Sequence, residues 1–140
     1  MMLTKEQVMI DPEITDESRR FWEEASQERL TIGKCDNCGE AYFYPRARCP
    51  FCLSSNTRLV TASGEARIYS YSVVRSPIPY VMALVTLIEG PTILSNIVNA
   101  DPAALVVEQS VRLTFVASQA GQKVPVFETL DGARQYKEQQ

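Results

Sequence analysis

Four cysteines fall in two Cys-x-x-Cys pairs, Cys35/Cys38 and Cys49/Cys52, with ten residues between the pairs. Each pair lets two thiolates reach one metal from a single tight turn, and two pairs complete the tetrahedral four-sulfur set that structural zinc prefers. The chain contains four cysteines and no histidine. Every soft ligand is therefore used in one place, and none is left for a nucleophile or a mixed ligand set. A closed all-thiolate site has no open position for substrate or water, so the expected ion is a single structural zinc. Gly39 follows the first pair, where a knuckle needs positive φ, and Pro50 sits inside the second, where its missing N–H leaves the others free to point at sulfur.

Other uses of this spacing are less well matched. Two disulfides suit a small secreted chain, but no signal peptide is expected here, and oxidised frameworks rarely present two short pairs in this way. A thioredoxin-like redox pair needs one Cys-x-x-Cys in a βαβ setting, and there are two without that pattern. Iron of the rubredoxin kind takes the same ligands, and spacing does not separate it from zinc.

The elements around the cysteines must hold the two knuckles face to face. Leu30 to Lys34 reads as a short strand entering the first knuckle, and Ala41 to Tyr44 as a second, before Pro45 turns the chain. Such a ribbon is too small to fold on buried apolar surface alone, so metal binding supplies its stability. Upstream, Thr15 is a plausible N-cap and Asp16 and Glu17 favour a helix start; the helix should run to about Gln27. It carries Phe21 and the single tryptophan, Trp22, side by side. Two rings on so short a helix must be buried, either on the chain's own ribbon or barrel or as anchors for another subunit.

From Arg58 the sequence is strand and turn, with strands expected at about 58–62, 65–75, 80–88, 92–99, 111–117 and 124–129. Gly64 marks a break or bulge, Glu89-Gly90-Pro91 a hairpin turn, and Asp101-Pro102 a short helical turn between strands. That outline predicts a mainly β fold: an N-terminal helical segment over 1–30, a four-cysteine zinc ribbon over 31–57, and an OB-fold β-barrel with a C-terminal tail over 58–140. A general β-sandwich is the competing architecture. The runs VMALVTLI at 81–88 and TILSNIVN at 92–99 carry no charge. In a small barrel one face of each points inward, so the other needs a cover.

Length and composition narrow the function. At 140 residues with 45% hydrophobic side chains the chain supports a real core. Its net charge of −3 opposes non-specific nucleic-acid binding, which needs a surplus of Lys and Arg. No run reaches the roughly 18 apolar residues of a membrane helix, and the reading is a soluble cytoplasmic protein. Only residues 31–58 are basic, with four cations and two acids. Lys34, Arg46 and Arg48 there either balance the charge of a metal held by four thiolates or bind an external anion.

The stretches FWEEASQERLTIGKCDNCGEAYFYPRARCPFC (21–52), GEARIYSYSVVR (64–75) and PYVMALVTLIEGPTILSNIV (79–98) resemble the zinc-ribbon (rubredoxin-like) plus OB-fold proteins that accompany acyl-CoA enzymes, a family first catalogued as a domain of unknown function. The likeness covers roughly residues 13–130, and the order of aromatic helix, ribbon and barrel is more specific than the ribbon alone. It implies a small non-catalytic subunit bound to a thiolase-like enzyme, or to an aldolase or hydratase acting on acyl-CoA. A chain without histidine or a spare cysteine agrees, because it cannot supply a thiolase's nucleophile or base. Under that reading Lys34, Arg46, Arg48 and Arg75 are candidate contacts for the phosphates of CoA, with Tyr80 as an aromatic wall and Phe21 and Trp22 as partner contacts. Two positions depart from the family. Arg75 stands where relatives often have histidine, and Glu108-Gln109-Ser110 replaces a glycine-containing turn. An adaptor for nucleic acid or protein is the alternative of another class, since Tyr42, Phe43 and Tyr44 lie beside Arg46 and Arg48, but the acidic balance opposes nucleic acid.

Overall fold

Buried and exposed residues alternate along the second half of the chain as a one-sided sheet requires. The computed structural model describes residues 9–75 and 79–130. Along β4 (Glu65–Val74) and β5 (Tyr80–Leu87), Ala66, Ile68, Val81, Ala83, Val85 and Leu87 are buried. With β6 (Thr92–Val98), β7 (Ser110–Ala117) and β8 (Lys123–Thr129) they close into a barrel of order β4-β5-β6-β8-β7. All neighbours are antiparallel except β6 and β8. A single 3-10 turn, Pro102–Ala104, separates the third and fourth barrel strands, and the Asp101 carboxylate caps it by accepting the Ala103 N–H at 3.0 Å. This is the OB-type barrel, with the expected helical turn reduced to one 3-10 turn. Gly64 supplies the break with φ +90°, and the register slip comes later, between Ile68 and Ser70.

The ribbon is a three-stranded sheet, β2-β1-β3, made of β1 (Thr31–Cys35), β2 (Ala41–Tyr42) and β3 (Thr57–Thr61). The strand read at 58–62 thus belongs by pairing to the ribbon. It runs residue for residue along β1 from Thr31↔Thr61 to Cys35↔Thr57, straddling the proposed boundary at 58. β2 stops at Tyr42, short of the strand read to Tyr44. Gly33 pairs with Tyr42 across the sheet, and the ring of Tyr42 lies over its backbone: a Cβ at Gly33 would come within 2.2 Å of the ring. Tyr42 in turn packs on Cys35 and Cys49 and donates its hydroxyl to the Arg46 carbonyl at 3.0 Å. Gly33→Ala must push that ring away. We expect a loss of about 2–3 kcal/mol in chemical denaturation, with weaker metal retention in a chelator competition.

Helix α1 (Arg19–Ser26) begins later than the capping residues suggested. Residues 16–18 form a turn in which Thr15 and Ser18 bond each other reciprocally, Thr15 N–H to Ser18 Oγ at 2.9 Å and Ser18 N–H to Thr15 Oγ1 at 3.2 Å. Phe21, for which burial in its own chain and contact with a partner were the two expectations, is 3% exposed and packs inside its own chain. Its ring meets Trp22 and Tyr44 edge-on at 4.9 Å and Phe43 at 5.7 Å. No surface of Phe21 is left for a partner; Trp22 remains half-buried. Phe21, Leu30 and Ile32 share one apolar cluster with Ile68, Val85, Phe127 and other barrel residues, so helix, ribbon and barrel have a common core. Ahead of the helix, Met9 is tied to the barrel. It bridges Ser118 beyond β7, and Asp11 accepts the Ala120 N–H at 2.9 Å. Among the described residues no helix is long and apolar enough to cross a membrane.

Candidate metal centre

The two knuckles are built alike. Cys35 and Cys49 each donate a backbone N–H five residues on, to the Glu40 and Ser54 carbonyls, and each accepts one four residues on, from Gly39 and Leu53. These paired loops turn all four sulfurs to one point: the Sγ atoms lie within 4.8 Å of one another, with Cys35–Cys52 and Cys38–Cys49 both at 3.6 Å. A disulfide needs about 2.05 Å between sulfurs. A tetrahedral ion at about 2.3 Å from each sulfur needs about 3.8 Å. The geometry fits a metal and excludes two disulfides.

Donors surround the sulfurs as thiolates require. The Cys38 N–H points at Cys35 Sγ and the Phe51 N–H at Cys49 Sγ, each at 3.4 Å, and Asn37 Nδ2 approaches Cys52 Sγ at 3.6 Å. The Asn37 amide, helped by the Ser54 backbone N–H, holds the Cys52 thiol down at about 6. Cys38 is pushed up to about 12, the pull of the Glu40 N–H being outweighed by burial and by the sulfurs of Cys49, Cys35 and Cys52. The four sulfurs converge as the ligands of one divalent cation would.

The chain matches a family described as "ChsH2, rubredoxin-like zinc ribbon domain" over residues 22–58 and one described as "ChsH2, C-terminal OB-fold domain" over residues 59–116. It is 36% identical over 108 residues to a "DUF35 domain-containing scaffold protein" of Methanothermobacter thermautotrophicus, covering 71% of this chain and 81% of that protein. The chain belongs to the DUF35 family.

Other DUF35 relatives set its range. A protein of Thermomonospora curvata named "Probable enoyl-CoA hydratase alpha subunit" is 33% identical over 122 residues, or 83% of this chain; the chain spans only 38% of that relative's length. Among solved structures, a chain of "Ltp2-ChsH2(DUF35) aldolase" superposes with a TM-score of 0.78 at 32% identity, covering 85% of this chain and 98% of that one. A DUF35 protein from Sulfolobus solfataricus, at 16% identity and a TM-score of 0.60, shares the fold. The zinc-ribbon description supports zinc binding by these four cysteines.

The candidate cations fall in different places. Lys34 Nζ donates to the Gly39 carbonyl at 2.6 Å and Arg48 Nη1 to the Leu53 carbonyl at 3.2 Å. They hold equivalent carbonyls, each just past the second cysteine of its knuckle. Arg46 is exposed and borders the cleft between the ribbon and the β5–β6 turn, a space of about 520 Å³. Arg75 and Tyr80 lie at the opposite end of β5, roughly 23 Å from that turn. Ribbon and far rim therefore cannot grip the same phosphate.

Sequence reasoning missed Leu53. It occupies in the second knuckle the place of Gly39 in the first, with φ +64° beside +79°, and is 68% exposed. A branched side chain there strains the backbone and gains little burial. The signal was legible: the residue after the first pair is glycine and the residue after the second is not. Leu53→Gly should stabilise the ribbon by about 1 kcal/mol in denaturant titration; a destabilised variant would mean that Leu53 packs within its own chain.

Proposed function

We propose that this DUF35 chain is a non-catalytic subunit of a heteromeric acyl-CoA enzyme, its catalytic partner being of thiolase type. In this reading Cys35, Cys38, Cys49 and Cys52 bind one structural zinc ion that fixes the ribbon. The observation that carries it is the use of all four cysteines in one closed cluster by a chain without histidine. Nucleophile and base must then come from elsewhere. The relative named as a hydratase alpha subunit and the solved aldolase complex support an acyl-CoA setting, and the name scaffold supports an accessory role. They also keep a second reading alive: a partner that hydrates an enoyl-CoA or cleaves by aldol chemistry.

Within the complex, Arg46 is the ribbon cation free to meet a CoA phosphate, Lys34 and Arg48 being engaged by the knuckles. Arg75 and Tyr80 form a separate candidate contact at the far rim. The compartment is the cytoplasm, where thiolates stay reduced. The test is purification of the chain in its native complex, with the partner identified by mass spectrometry and zinc by elemental analysis. A thiolase-type partner with one zinc per chain supports the proposal. An aldolase or hydratase partner favours the second reading, and a chain that purifies alone and zinc-free overturns both.

A further inference from the structure

Where β4, β5 and β6 pair, their outer face carries a single charge. Register puts positions 67, 70, 72 and 74 of β4, 80, 82, 84 and 86 of β5, and 92, 94 and 96 of β6 on one surface. Ten of these eleven are uncharged in a chain whose residues are 22% charged, the exception being Arg67 opposite Thr86. Val74, Tyr80, Met82, Leu84 and Leu94 form its apolar part, cross-strand neighbours by pairing, with Leu94 63% exposed and Met82 38%. Helix α1 packs on β1 and β8 instead, so among the described residues no helix covers this face. At its edge, Thr92 enters a cleft lined by Pro91, by Pro50 and Phe51 of the second knuckle, and by the charged Glu40, Arg46 and Glu89. Phe51 is 64% exposed, and two residues on stands the strained, exposed Leu53.

We infer that the largely uncharged β4–β5–β6 face and the apolar tip of the second zinc knuckle form one docking surface for the enzyme subunit of the complex. The inference rests on the function proposed above. Three arguments choose the occupant. A nucleic acid would need several Lys or Arg on the face, and there is one, Arg67. A charged protein surface would lose its hydration here without gaining a partner. A second copy laid flat on the face would cover roughly 300 Å² of three strands on each side, or about 600 Å² in total, under the ~1,200 Å² total of a specific pairing. A partner that also follows the bend from barrel to knuckle covers more than the sheet face alone. An exposed leucine in left-handed backbone is a strain the chain recovers nowhere within itself, as expected where a partner uses the side chain.

The test uses the purified full-length chain and its enzyme subunit, with affinity measured by calorimetry. Leu94→Arg and Phe51→Arg should each weaken assembly at least 100-fold while zinc content and Tm stay unchanged. Val107→Arg, at an equally exposed residue of the loop before β7, should alter affinity less than threefold. Tight assembly by both first variants overturns the docking surface but leaves the subunit role standing. Failure of the unsubstituted chain to assemble removes that role. A homodimer that Leu94→Arg dissociates, seen by ultracentrifugation, assigns the face to a second copy and overturns the inference.

Discussion

Stripping zinc with a strong chelator should lower Tm by at least 15 °C and abolish the ribbon's protection from proteolysis. Structural zinc binds peptides of this kind with an apparent 10–16 kcal/mol, comparable to the whole stability of an ordinary domain. The effect should not stop at the knuckles. Leu30 and Ile32 flank and enter β1 and lie in the apolar cluster of the barrel. When the ribbon loosens, barrel residues such as Ile68 and Phe127 lose neighbours. Differential scanning calorimetry of holo and chelated protein checks this, and a chelated chain melting within 3 °C of the holo form would show that barrel and metal site are uncoupled. Cys49→Ala should reproduce the chelated state, because it removes one of the four converging sulfurs at a fully buried position.

Phe21→Ala should cost about 3–5 kcal/mol, the range for removing a buried ring. Three aromatic neighbours lie within 5.7 Å, so the void opens where helix, ribbon and barrel meet. Trp22, edge-on to Phe21 at 4.9 Å, reports the change directly. Its emission should shift to the red as water enters. A loss below 1 kcal/mol with unchanged fluorescence would mean that the helix is dispensable to the core.

The metal site was legible because its chemistry is local: a turn of four residues decides where two sulfurs point. The barrel was legible because a period of two survives in strands such as β4 and β5. Pairing partners were not. The TRLVT of β3 reads as a strand, yet nothing in it says that it lies along β1 and not in the barrel. Phe21 shows the same limit, since a ring that must be buried does not say in which chain. The separation of Arg46 from Arg75 and Tyr80 is equally non-local, set by the length and direction of β5. Glu108 is a last case: it takes φ +71°, a left-handed backbone that glycine adopts without strain, in the turn where the resemblance implied a glycine.

The most direct measurement is acyl-CoA turnover by three preparations: this chain alone, the enzyme subunit alone, and the two combined. We expect none from the zinc-loaded chain, weak activity from the enzyme subunit, and full activity only from the mixture at a fixed ratio. Turnover of an acyl thioester by the isolated chain would contradict a subunit that brings no nucleophile or base of its own.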